Sequence, residues 1–154
     1  MLNITILAVG KIKEESFLDL ILEYLKRLKP YASIKIEELK AESFNIATKN
    51  KAKVIEGERL LNYLKRFPDS KIILLDEAGN NYSSGEFANL INNENCHFIF
   101  VIAGSLGFSD QVKSKIKSSL TLSKMTFTHE MARVILLEQI YRAVTIIKNK
   151  PYHY

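Results

Sequence analysis

The stretch Phe98–Phe108, FIFVIAGSLGF, opens with five apolar residues that do not alternate with polar ones. A strand with one wet face alternates; an unbroken apolar run belongs to a strand covered on both faces, as in a parallel sheet. Lys71–Leu75 (KIILL) has the same character. Residues 3–9 (NITILAV) read as a further strand ended by Gly10, and residues 33–39 (SIKIEEL) as an alternating one. Helical patterns lie between them. From Glu14 to Leu28 the apolar residues Phe17, Leu18, Ile21, Leu22, Leu25 and Leu28 recur at helical spacing, with Pro30 just beyond. Ala47–Phe67 is a charged helix stopped near Pro68. Ser83 or Ser84 caps a helix to about Asn92, and Ser109 caps one to Lys117. A short strand at Leu120–Leu122 precedes a long helix, Thr128–Lys148, ended by Asn149 and Pro151. Strands alternating with helices predict an α/β fold, with a mainly parallel sheet and helices on both faces.

Such a chain of 154 residues is expected to form one domain, residues 1–154. The lone Cys96 rules out an internal disulfide, and no Cys/His cluster has zinc-ligand spacing, so no metal is expected. The opening MLNITILAVGKIK is too short in its apolar run for a signal peptide, and no segment approaches a membrane span. A cytoplasmic protein is expected. Net charge is +5, unevenly placed. Residues 1–110 carry 14 Lys/Arg against 15 Asp/Glu, whereas residues 111–154 carry 8 against Glu130 and Glu138 alone. A basic C-terminal third suits a polyanionic partner such as RNA, although on charge alone a solvated basic face is the stronger explanation.

In open α/β sheets ligands sit beyond the carboxyl ends of the strands, near a switch point. Leu75–Asn80, Ala103–Phe108 and Ser123–Phe127 all follow strands and qualify as crevice-forming loops. Gly104 and Gly107 allow close backbone approach to a ligand. No Walker lysine and no full G-x-G-x-x-G is present, which counts against a nucleotide hydrolase. In Leu120–Arg133, Ser123, Thr126 and Thr128 can hydrogen-bond locally while Met125 and Phe127 offer apolar contact. That mixture fits a neutral aromatic ligand such as adenine, and fits equally a capped helix start. The helix beyond is apolar around nearly its whole circumference, which predicts a second buried side and a homodimer. Glu138 and Arg142 stand at i, i+4 and can pair; Arg142 can also meet a phosphate or a uracil-like edge. The tail adds Tyr152, His153 and Tyr154, two stacking surfaces and a base. Asp76, Glu77, Glu86, Cys96, His97 and His129 read as structural.

Together AGSLGF, SLTLSKMTFTHEMARVILLEQIYRA and PYHY resemble the RlmH family of small SPOUT methyltransferases, and NITILAVGKIKE and LLDEAG fit the same pattern. The resemblance implies a C-terminal trefoil knot, a homodimer, and S-adenosylmethionine held by Leu75, Ala103, Gly104, Leu122, Ser123, Lys124, Met125, Thr126 and Phe127. It implies methylation of N3 of a pseudouridine in large-subunit (23S) rRNA, on assembled ribosomes. Two positions depart from the family pattern: Ala103 where paired glycines are frequent, and Tyr154 where a basic residue often ends the chain. Arg142, Tyr152 and His153 are the expected catalytic residues. His153 can take the imide proton, or Arg142 can instead ease its loss by stabilising the anion, and Tyr152 can stack on the base. A non-catalytic RNA-binding factor is the alternative, distinguished by RNA affinity without cofactor affinity.

Overall fold

The computed structural model describes residues 1–154. Five strands form one parallel sheet: β1 (Leu2–Val9), β2 (Ala32–Leu39), β3 (Lys71–Asn81), β4 (His97–Ile102) and β5 (Ser119–Thr121), in the order β2-β1-β4-β3-β5. Five helices connect and cover them: α1 (Glu15–Leu28), α2 (Lys49–Leu64), α3 (Ser84–Ile91), α4 (Asp110–Lys115) and α5 (His129–Ile147). The unbroken apolar run of β4 has its cause here. Phe98, Phe100 and Ile102 face a core shared with α1, α3 and α5, while Ile99 and Val101 face one shared with α2 and α4. Every residue from Phe98 to Ile102 is buried. No helix is long and apolar enough to cross a membrane.

The chain leaves β1 toward β2 and leaves β4 toward β3's far side, so the connections diverge to opposite sides between β1 and β4. This is the switch point at which a crevice opens beyond the strand ends. After β5, at the sheet's edge, residues 122–128 reach back to Glu77 of β3 through Thr126 and lead into α5, which packs against α1 and α3. There the Glu130 carboxylate accepts from the N–H groups of Lys13 and Glu14, both at 3.2 Å. Thr128 caps α5 by accepting from the Met131 N–H, and Asn149, at φ 51°, ends its C-terminal side in the left-handed region.

Two expectations change. β3 does not stop at Leu75. It continues to Asn81 through a bulge in which Leu120 of β5 pairs with both Leu75 and Asn80. The bulge depends on Gly79, whose missing Cβ would lie 2.6 Å from the Leu120 backbone. The two-sided burial of α5 is also met within one chain. Its residues Ala132, Val134, Leu136, Leu137, Ile140, Ala143 and Val144 join the core formed with α1, α3 and the sheet. Burial of α5 therefore does not by itself require a second chain.

Candidate active site

A cavity of about 690 Å³ lies over the bulge of β3 and the carboxyl ends of β4 and β5, between the starts of α1 and α5. That volume is in the range that holds cofactors. Its floor is Leu75, Ile102, Ala103 and Gly104, and the loop after β5 closes one side with Leu122, Ser123, Met125, Thr126 and Phe127. Of the nine expected cofactor residues, eight line this space; Lys124 is exposed and does not. Ala103 has no positive φ, so its side chain costs the turn nothing. Gly107 does need a glycine, at φ 73°, and its N–H closes a turn onto the Gly104 carbonyl at 3.0 Å. At Gly104 the requirement is space: a Cβ would stand 3.1 Å from the buried Glu56 carboxylate and 3.2 Å from Val9.

The loop after β5 is shaped by its own hydroxyls. Thr121 Oγ1 donates to the Ser123 carbonyl at 2.6 Å, and Ser123 Oγ accepts from the Met125 N–H at 3.0 Å. Met125 is left 77% exposed, an apolar side chain with nothing of its own chain over it. The β3 bulge supplies the facing wall. Thr126 donates to Glu77 at 2.5 Å and so ties bulge to loop. Asp76 accepts from Lys113 Nζ at 2.7 Å and from the Ala78 N–H at 3.0 Å. Burial alone would raise the Asp76 carboxyl, but these partners outweigh it and the group is held below its ordinary range. Asp76 and Glu77, read as structural from sequence, thus line the cavity, and so does His129. The sequence signal for the first two was Gly79 inside an apparent loop; for the third it was the i, i+4 spacing of His129 and Arg133.

Arg142, Tyr152 and His153 also come together, but elsewhere. Glu138 organises them. Its Oε1 accepts from Arg142 Nη2 at 2.6 Å, Arg142 Nε at 3.1 Å and the Tyr152 hydroxyl at 3.2 Å. The Arg142 guanidinium lies 4.9 Å from the Tyr152 ring centroid, and His153 Nδ1 is 3.5 Å from Arg142 Nη1. Hydrogen bonding to Glu138 pushes the Arg142 pKa up, so it stays charged. Burial, with Tyr24 and Glu138 nearby, raises the Tyr152 hydroxyl to about 12; at neutral pH it is a donor and not a base. None of the three lines the cavity. Arg142 stands ten residues beyond Ala132, the last cavity residue on α5, which is roughly 15 Å along a helix.

A five-stranded parallel sheet whose crevice is closed by the loop between β5 and α5 is the architecture of a known class. A family model described as "Predicted SPOUT methyltransferase" matches residues 2–153, and the chain is a SPOUT methyltransferase. A solved protein from Bacillus anthracis assigned to the RNA methyltransferases superposes with a TM-score of 0.57 at 11% identity, covering 98% of both chains. A methylase-family protein from Haemophilus influenzae Rd KW20 gives the same TM-score and identity over all of this chain and 72% of its own. At that identity these two speak for the fold alone. Sequence relatives are more specific. "Ribosomal RNA large subunit methyltransferase H" of Carboxydothermus hydrogenoformans is 45% identical, with 99% of each chain covered. The proteins of that name from Kosmotoga olearia and Ruminiclostridium cellulolyticum are each 42% identical over 99% of this chain and 100% and 99% of theirs. Within the SPOUT class the chain belongs to the RlmH family.

Proposed function

We propose that this single-domain protein transfers a methyl group from S-adenosylmethionine to N3 of a pseudouridine in large-subunit rRNA, on assembled ribosomes in the cytoplasm. The observation that carries the reading is the cavity at the switch point, lined by Leu75, the Ala103–Gly104 turn and the loop 122–127. Apolar Leu75, Leu122 and Phe127 suit an adenine, while the carboxylates of Asp76 and Glu77 suit a cationic portion. The return of residues 122–128 to Glu77 of β3 fits the trefoil knot of the class. When bound, S-adenosylmethionine supplies a methyl group that is already strongly electrophilic, so the protein needs no nucleophile of its own. Its task is to align acceptor and donor, an effect worth roughly 7–11 kcal/mol when the geometry is right.

The acceptor's imide proton must leave as the methyl arrives. His153 takes it, and the permanently charged Arg142 stabilises the negative charge on the base. Tyr152 keeps its own proton and offers a ring face and an O–H to the base. Because Arg142 lies roughly 15 Å along α5 from the cavity of its own chain, and Tyr152 and His153 gather beside it, we place the three over the cavity of a second copy. The working unit is then a homodimer with two composite sites. Calorimetric titration with S-adenosylmethionine tests the base of this reading. Saturable binding that Leu122→Arg abolishes is expected; no binding to a folded sample rules the reading out.

A further inference from the structure

Arg133 is the largest fully buried side chain, with no exposed surface. Its guanidinium donates to Glu38 Oε1, to the Gly10 carbonyl at 2.6 Å, and from Nη2 to His129 Nδ1 at 2.9 Å. A guanidinium can only donate. His129 Nδ1 must therefore accept, and the neutral ring carries its proton on Nε2. That N–H has no acceptor within the protein, and the ring it belongs to lines the cavity. Two nearby acids are committed elsewhere: Glu130 to the Lys13 and Glu14 N–H groups, Glu38 to Arg133 and the Ile12 N–H; the Glu14 carboxylate also lines the cavity and makes no hydrogen bond to the ring. Gly10, at φ 97°, leaves the ring edge open; a Cβ there would stand 3.2 Å from Cε1 and 3.4 Å from Nε2. The positive end of the 19-residue α5 points to the same place.

We propose that His129 forms an anion subsite of the cavity: its Nε2–H donates to a carboxylate or phosphate oxygen of the bound molecule, with Arg133 as the positioning residue that fixes the tautomer. The inference rests on the reading of the cavity as a methyl-donor site. The carboxylate would be that of the donor's amino-acid portion; the phosphate would be that of the RNA backbone. Burial and the facing Arg133 also hold the His129 pKa below its ordinary value, which keeps the ring in this donor form at neutral pH.

The alternative is that His129 only anchors α5 through Arg133, and two substitutions separate the roles. His129→Asn places an acceptor where Nδ1 was and lacks the distal donor; His129→Gln places an amide near the Nε2 position and loses the Arg133 acceptor. With a donor carboxylate as the anion, Asn weakens S-adenosylmethionine binding by about tenfold, as the loss of one charge-assisted hydrogen bond would. Gln restores most of it, and binding of 5′-methylthioadenosine, which lacks the carboxylate, is unchanged in both. With an RNA phosphate as the anion, cofactor affinity holds and the ribosome KM rises by about tenfold for Asn only. The subsite is overturned if Asn matches wild type in both measurements, or if nitrogen NMR of the wild type places the His129 proton on Nδ1. Because wild-type binding and transfer are the reference in every arm, these outcomes are separate from failure of the methyltransferase reading itself.

Discussion

Glu138 stands at the centre of the tail cluster, since one of its oxygens receives Arg142 and Tyr152 together. The i, i+4 pairing was legible from spacing; the recruitment of Tyr152 was not, because nothing local folds a chain end back onto a helix. Glu138→Gln is expected to lower kcat by about 10–100-fold while cofactor affinity stays constant, the mark of an interaction used in the transition state. A fall in cofactor affinity of the same size would place Glu138 in binding instead. The histidines give a second residue-scale prediction. Burial lowers the pKa of His97, and burial with Arg133 lowers that of His129, from an ordinary 6.5. The unfolded chain then binds more protons than the folded one as pH falls through 6.5. Stability from these groups is complete above that pH and declines below it. Denaturant melts between about pH 8 and 5 should show this decline, and His97→Gln, whose hydroxyl partners Thr5 and Ser70 remain, should reduce it.

At the scale of elements, β4 and α5 were legible because burial on both sides writes itself into an unbroken apolar pattern. What covers them was not, since hydrophobicity carries no address: the pattern of α5 points to a second chain, whereas α1, α3 and the sheet of its own chain already form a core with it. The bulge in β3 escaped for a related reason. Residues 76–81 (DEAGNN) have turn composition, and only the pairing with β5 makes them strand. Gly79→Ala should therefore act on both fold and site. Its Cβ cannot share space with the Leu120 backbone at 2.6–2.9 Å, so a loss of about 1–3 kcal/mol of stability is expected. Cofactor affinity should fall with it, because the shift displaces Asp76 and Glu77; calorimetry on the folded variant checks this.

At the scale of the whole molecule, the cavity and the tail cluster of one chain do not meet. The cavity's place was legible from the strand-end loops; the members of the tail cluster were legible from composition and resemblance, and the separation of the two only from the fold. If each site joins the cavity of one copy to the tail of another, two inactive variants should rescue each other. Mixed dimers of Leu122→Arg and Arg142→Ala contain one intact composite site, and coexpression should restore up to about a quarter of wild-type activity under random pairing. Persistent inactivity in dimers shown by mass to be mixed would place cavity and tail in the same chain's reaction.

The most direct test of the methyltransferase account is transfer of labelled methyl from S-adenosylmethionine to ribosomes that lack the modification, followed by digestion and identification of the labelled nucleoside. Label is expected in large-subunit rRNA as N3-methylpseudouridine, dependent on Arg142. RNA binding without any label in rRNA, from a protein that binds the cofactor, would contradict it.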